Sequence, residues 1–429
     1  MQNQTKYLVI GNSTAAVGAV EGIRSFDKTH PISLVSREPY HTYSRPLISY
    51  LLAGKIEEDR LYYRPGDFYL KNNVETTLGV AVEKIDTTTR TAHLSDGQTL
   101  AFEKAVIATG GKPFIPKIEG VASKGVFTFT SWNDASAVDA YIKSTGAQQA
   151  VVLGGGLIGV KSAEALRARN LEVTVVELAP RLLALALDAQ GSAFAQEAME
   201  EAGVKVELGT TLQRIVSKNG IATGVILGTG REVPCQIVIV AVGVIPETGL
   251  VADSGITVDR GIVVNEHCMT SVEGIYAAGD VAQGTNSLTG ESRPIPIFPN
   301  AYRQGHVTGC NMAGEPETLD SSFAMNSVEF FGLPTISAGL STAEGSEFKV
   351  LEMSNPHKKS HKRVILRDGK VAGALFVGDV DRAGIFTGLI RSKIDVSSFQ
   401  SSLLEQDFGL LSLPVEYRKQ VVRGKGVLA

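Results

Sequence analysis

Three glycines, Gly154, Gly156 and Gly159, stand at G-x-G-x-x-G spacing, and Glu177 follows about 20 residues beyond the turn. The pattern suits the grip of a nucleotide pyrophosphate. The first glycine permits a tight turn, the second lets the backbone approach the phosphates, and the third lets the following helix close on its strand. That helix begins at Leu157 and Ile158, where free amides and the positive end of the dipole face an anion. Glu177 can accept two hydrogen bonds from an adenosine ribose, and its charge repels a 2′-phosphate. Neither 178 nor 179 is Arg or Lys, although Arg181 is near. The combination reads as a site for NADH.

These residues need particular elements to hold them. Val151–Leu153 run into the glycines as a buried strand, a helical pattern follows to about Arg169, and Val173–Val176 form the next strand. A similar order opens the chain. Tyr7–Ile10 lead to Gly11, then a helix runs through about Ser25, and Ile32–Val35 form a strand with Glu38 beyond it as the best match to the ribose acid. Here Ser13 holds the second glycine position and Ala16 the third, with Thr14 and Ala15 between them. Alanine is an accepted third residue. The Ser13 side chain must turn away from a phosphate or bond to it.

Two further stretches repeat. Asp96-Gly97 marks a hairpin leading to a buried strand that ends in Ala108-Thr109-Gly110. After the second motif a hairpin at Gly228–Val233 leads to Ile237–Val240, Ala241-Val242-Gly243 and Pro246. The chain thus carries two diverged copies of one unit: Gly-rich turn, helix, hairpin, buried strand, A-x-G. Gly274–Asp280 then supplies one more strand ending in Gly279-Asp280, which places the second copy inside the first. An acid there can bond a ribityl hydroxyl, and the glycine before it admits the chain of a long cofactor.

Length and composition bound the rest. A chain of 429 residues holds two or three domains. A net charge of −4 gives no reason to expect nucleic acid. No apolar run reaches the ~18 residues of a membrane span, and no charged-then-apolar leader opens the chain, so a cytoplasmic protein is expected. The three cysteines, Cys235, Cys268 and Cys310, are far apart and read as buried thiols. An intrinsic iron–sulfur cluster needs about four thiolates.

The order of motifs at Gly11–Ala16, Ala108–Gly110, Gly154–Gly159, Ala241–Pro246 and Gly274–Asp280 resembles the FAD-dependent pyridine nucleotide–disulfide oxidoreductases over roughly residues 5–400. The resemblance implies an α/β fold. Two Rossmann-like dinucleotide-binding domains, the FAD domain (1–113 and 245–318) interrupted by the NAD domain (114–244), precede an α+β C-terminal interface domain (319–429). It implies FAD along Gly11, Ser13–Ala16, Glu38, Ala81, Ala108–Gly110 and Gly279-Asp280. It implies NAD(H) along Gly154, Gly156–Gly159, Glu177, Val242 and Gly243. Phe298-Pro299-Asn300-Ala301 look like the start of the helix that points its positive end at the flavin. Phe298 either shields the ring or is a plain core aromatic.

Many members of this family carry a cysteine across the flavin within the first 60 residues or so. This chain has Tyr43-Ser44-Arg45-Pro46-Leu47-Ile48-Ser49 instead, which resembles the rubredoxin and ferredoxin reductases and the flavin part of nitrite reductases. By that resemblance Arg45 and Pro46 border the isoalloxazine; otherwise Arg45 is a surface turn residue. Lys161 stands where many relatives have Glu. Either it donates to the nicotinamide carboxamide or to flavin N5, or it is an exposed helix lysine.

Without a sulfur there is no dithiol relay, so the electrons leave for an outside acceptor. A rubredoxin, ferredoxin or iron–sulfur subunit is the expected carrier, and a homodimer or a subunit of a larger complex the expected assembly. An NADH oxidase and a regulatory FAD/NADH-binding module, as in apoptosis-inducing factor, are the alternatives. The basic run His357–Arg363 reads as a docking patch for an acidic carrier or as a solvated loop. The apolar residues of the tail from Ser397 read as packing against a partner or another subunit.

Overall fold

The computed structural model describes residues 4–320, 322–343, 345–415 and 417–418. They fall into two compact units, Met1–Val176 with Thr210–Ser322 and Glu177–Gly209 with Phe323–Ala429.

In the first unit, strands such as Ile32–Ser36 and Ile237–Val240 are buried at every residue, as parallel strands covered on both faces must be. Gln4–Ile10 lies between Ile32–Ser36 and Thr99–Ile107, all parallel, with Val74–Leu78 beyond Ile32–Ser36. The Asp96-Gly97 turn closes the hairpin between Thr91–Leu94 and Thr99–Ile107. Ile275–Ala277 returns to this sheet beside Ala105–Ile107. A second parallel sheet sets Gln149–Leu153 between Glu172–Glu177 and Ile237–Val240, with Val126–Thr128 at the edge. Gly111–Pro113 and Val244–Pro246, paired antiparallel, carry the chain out to the second copy and back.

The two copies agree bond for bond. Gly11 N–H donates to Val35 O at 2.8 Å and Ala108 N–H to Ile10 O at 2.8 Å. In the second copy Gly154 N–H donates to Val176 O and Ala241 N–H to Leu153 O, each at 2.8 Å.

The helices Thr14–Phe26 and Phe298–Ala313 pack through glycines four residues apart, hence on one face. These are Gly18 and Gly22 on the first helix, Gly305 and Gly309 on the second. A Cβ on any of them would collide with backbone of the other helix, Gly305 with the Ala15 carbonyl. The two backbones therefore touch directly, and the start of each helix reaches Gly279, where a Cβ would lie 3.2 Å from Ala15 Cβ and 3.6 Å from Ala301 Cβ. Gly305→Ala is expected to force the helices apart and lower stability by about 1–3 kcal/mol. An unchanged melting temperature would refute this packing.

The second unit holds an antiparallel sheet ordered Met325–Phe330, Leu333–Gly339, Lys370–Val377, Ser360–Arg367, Phe348–Asn355. Asp368 and Gly369 take φ of 49° and 71°, as a two-residue hairpin turn requires. The Ala189–Glu201 helix begins at Asp188, whose carboxylate accepts from Gly191 N–H at 2.9 Å. The same carboxylate meets His361 Nε2 at 2.7 Å and Arg363 Nη1 at 3.1 Å, and His361 Nδ1 lies 2.6 Å from Ser354 Oγ.

The run His357–Arg363 is therefore a solvated loop only at its start, where His357 and Lys358 are exposed in the short turn Pro356–Lys358. Most of it starts an interior strand, because the apolar residues Val364–Leu366 follow in register. Three of its charges are taken within the unit: Lys359 by Glu197 and Glu201, Lys362 by Asp379, Arg363 by Asp188 and Glu352. In the tail, Phe408 and Leu413 are buried within this unit, whereas Leu410 and Leu411 are exposed. Residues 419–429 lie outside the described residues.

Candidate functional site

Gly11 has φ 117°, and a Cβ there would strike the Ala108 carbonyl. Only glycine lets the A-T-G strand end pass so close. Ser13 is the N-cap of the Thr14–Phe26 helix, yet its side chain makes no capping bond. The helix amides are thus not covered by their own cap, and a phosphate can take that place. Thr14, Ala15 and Ala16 are buried. Gly110 would meet nothing within 4 Å of a Cβ, so the turn opens on free space. Thr109 Oγ1 donates to Glu247 O at 2.8 Å, and Glu247 N–H to Gly110 O at 2.9 Å. Ala81 N–H donates to Ser95 Oγ at 3.0 Å. A turn bare of side chains beside uncapped helix amides fits a dinucleotide pyrophosphate.

Glu38, Tyr43 and Arg45 form one cluster. Arg45 Nη2 donates to Glu38 at 2.7 Å and Tyr43 Oη to the same carboxylate at 3.2 Å. Arg45 Nη1 also donates to Thr130 O at 3.1 Å, and Trp132 N–H to Tyr43 Oη at 3.1 Å. Arg45 is therefore no free turn residue; it ties the acid after the second strand to the segment before the Trp132–Thr145 helix. Arg45 Nη1 also reaches this carboxylate at 3.4 Å, so of about four lone-pair sites roughly one is left for a ribose. Burial works against the Arg45 charge, but Tyr43 and Glu38 outweigh it and raise its pKa. Burial pushes the Asp280 carboxyl up, with Arg45 pulling the other way. Pro46 is exposed and stands in the short helical turn Arg45–Leu47.

Gly279 N–H donates to Gln304 Oε1 at 2.8 Å, which fastens Gly279-Asp280 to the Phe298–Ala313 helix. Pro299 stands in that helix's first turn. Phe298 packs edge-on against Tyr63 at 5.1 Å. The Asn300 amide is engaged inside the protein, donating to Ile295 O at 3.3 Å and accepting from Ser322 Oγ at 3.0 Å. Ala301 N–H is engaged too, donating to Ile297 O at 3.0 Å.

The second motif repeats the first. Gly154 has φ 111°, and its Cβ would strike the Ala241 carbonyl; that of Gly159 would strike Gly154 O. Gly156 is the exposed N-cap of the Leu157–Ala168 helix, with nothing within 4 Å of a Cβ. Leu157 and Ile158 are half-buried, while Val242 and Gly243 are exposed. Glu177 belongs to the other unit, where its carboxylate accepts from Ala179 N–H at 2.7 Å.

Lys161 is not an exposed helix lysine. It is largely buried, bonds Glu164, and lies 4.5 Å from the centre of the Tyr50 ring. Sequence reading gave no role to Tyr43, Tyr50, Trp132 or Gln304. Gln304 stands four residues from Asn300 on one helix face, a usable signal, whereas Tyr50 offered none. Burial pushes Cys235 and Cys268 up to about 12, and Cys310 up to about 11. Among the described residues no group of His, Cys, Asp and Glu could hold a metal ion.

Comparison with known proteins adds the following. The family described as pyridine nucleotide-disulphide oxidoreductase matches residues 5–305, and the rubredoxin NAD+ reductase C-terminal domain matches residues 325–394. The chain is 32% identical over 402 residues to the NADH-dependent phenylglyoxylate dehydrogenase subunit epsilon of Aromatoleum evansii, spanning 92% of this chain and 94% of that one. It is 30% identical over 308 residues to the rubredoxin-NAD(+) reductase of Pseudomonas putida, spanning 72% and 80%. Among solved structures, the covalent putidaredoxin reductase–putidaredoxin complex superimposes with a TM-score of 0.82 at 25% identity, over 91% of this chain and 94% of that one.

Proposed function

The chain belongs to the pyridine nucleotide-disulphide oxidoreductase family, and within it we propose an FAD-dependent enzyme that takes hydride from NADH and passes electrons to a separate carrier protein. One observation carries the reading. No cysteine precedes Cys235, and all three thiols are buried with pKa values pushed far above neutral. The reactive species of a thiol is the thiolate, so no sulfur relay works here and the electrons leave the protein.

FAD, when bound, supplies the exchange between a two-electron hydride donor and one-electron acceptors. The chain supplies position and charge. Gly11 to Ala16 take the flavin pyrophosphate on helix amides, Glu38 the ribose, Gly279 and Asp280 the ribityl chain. The start of the Phe298–Ala313 helix offers its positive end to charge gathering at the flavin. Gly154 to Gly159 hold the NADH pyrophosphate, and Glu177 selects the unphosphorylated ribose. Arg45 holds the flavin-side loop against Thr130, and Lys161 lines the path between the two nucleotides.

In this reading residues 1–113 with 245–318 bind FAD, 114–244 bind NAD(H), and 319–429 form the interface domain. The carrier is of rubredoxin or iron–sulfur type, and the protein acts in the cytoplasm as a homodimer or within a larger complex. The names of the matched relatives and the match of the C-terminal domain support a carrier. Free thiols suit a reducing compartment. Anaerobic mixing with NADH should bleach the flavin, and rubredoxin or a ferredoxin should restore its colour faster than air does. Faster recovery in air with no preference for a carrier would overturn the reading in favour of an oxidase.

A further inference from the structure

The Leu157–Ala168 helix meets the short Ile48–Leu52 helix at one cluster of side chains. Lys161 bonds Glu164 and sits over the ring of Tyr50. Lys55 donates to the same Glu164 at 3.3 Å and lies 5.6 Å from the centre of that ring. Two ammonium groups share one carboxylate, so the four side chains together carry one net positive charge. Lys161 stands on the second turn of the helix whose N-cap is Gly156, and Tyr50 lies five residues past Arg45. Hydride transfer needs the reacting atoms about 3–3.5 Å apart. Both nucleotides must therefore extend from their glycine turns toward the place where the two halves meet, and this cluster spans it.

We propose that the cluster distinguishes the two redox states of the nicotinamide, with Lys161 disfavouring the cationic ring of NAD+ relative to the neutral ring of NADH. The inference rests on the assignment of NAD(H) to the Gly154–Gly159 turn. When the C4–H bond breaks, the hydride leaves with its electron pair for the flavin, and the neutral dihydropyridine becomes a pyridinium cation. The nicotinamide is thus the one part of the nucleotide whose charge changes. A fixed ammonium beside it weakens the product complex, speeds release of NAD+, and biases flow toward NADH oxidation. Tyr50 is the positioning residue: the negative face of its ring draws the ammonium and fixes it. Glu164, to which that ammonium bonds, also takes Lys55.

The test uses the flavin-loaded protein and three ligands: NAD+, 1,4,5,6-tetrahydro-NAD, whose neutral ring has no hydride to give, and ADP-ribose, which lacks the nicotinamide. The wild-type protein should bind tetrahydro-NAD about tenfold more tightly than NAD+, the effect of a unit charge a few ångströms away whose field is largely screened by solvent and by its own ion pair. Lys161→Gln should bring that ratio close to one and leave ADP-ribose binding unchanged. Tyr50→Phe, which keeps the ring, should retain the wild-type ratio, and Tyr50→Leu should lose most of it. An unchanged ratio in Lys161→Gln, with ADP-ribose still bound, overturns the proposal and leaves the nucleotide site standing. Failure of the wild-type protein to bind ADP-ribose overturns the nucleotide assignment itself.

Discussion

Gly156→Asp should keep its fold and its flavin and lose NADH. Gly156 has open space where a Cβ would go, and its backbone lies at φ −79°, which any residue adopts. The equivalent place in the first copy is already occupied by Ser13, so a side chain is tolerated structurally. The new carboxylate, however, would stand where a pyrophosphate must approach. Two like charges about 4 Å apart in a partly screened site repel by about 4 kcal/mol, or roughly 10²–10³-fold in affinity. The rate of flavin bleaching by NADH at low concentration should fall by that factor, with flavin content and melting temperature unchanged. Normal bleaching would show that the nucleotide binds elsewhere.

His361→Leu should strip the second unit of much of its stability. His361 is 2% exposed and shares the buried Asp188 carboxylate with Arg363. Removing one partner of a buried charge costs about 3–5 kcal/mol, because the carboxylate stays behind undercompensated. Trp132, the sole tryptophan, lies in the first unit, so its fluorescence reports that unit while circular dichroism reports both. Denaturation of the variant should show the dichroism midpoint falling with an early phase that fluorescence does not see. Identical curves for variant and wild type would refute the account.

Acid should act on the same site. Burial alone would raise the Asp188 pKa, but bonds from His361 and Gly191 hold it at about 2, below its ordinary 3.8. A carboxyl depressed in the folded state stabilises above its unfolded pKa, and that contribution, about 2 kcal/mol, is lost as pH falls through 3.8 toward 2.

The two glycine turns were legible because a close backbone approach dictates spacing, and spacing is visible along a chain. Gly11 and Gly154, and the A-x-G ends at Ala108 and Ala241, stand where that spacing puts them. The contacts between elements were not legible. His361 lies in a basic run, which announces charge and not a partner; Asp188 is 173 residues away. Glu38 was identified by its place after a strand, yet nothing local showed Arg45 and Tyr43 folding back onto it. Lys161 stood out as a departure from the relatives' acid, while Tyr50 beneath it carried no pattern at all. Nor did spacing reveal that Glu177–Gly209 packs with the C-terminal sheet as one compact unit.

The glycine seam between Thr14–Phe26 and Phe298–Ala313 bears on compression. Where backbone rests on backbone there are no side chains to shuffle and no void to collapse, and proteins yield to hydrostatic pressure largely through their voids. This seam should thus be the least compressible part of the molecule, keeping its packing under pressures that already distort the rest.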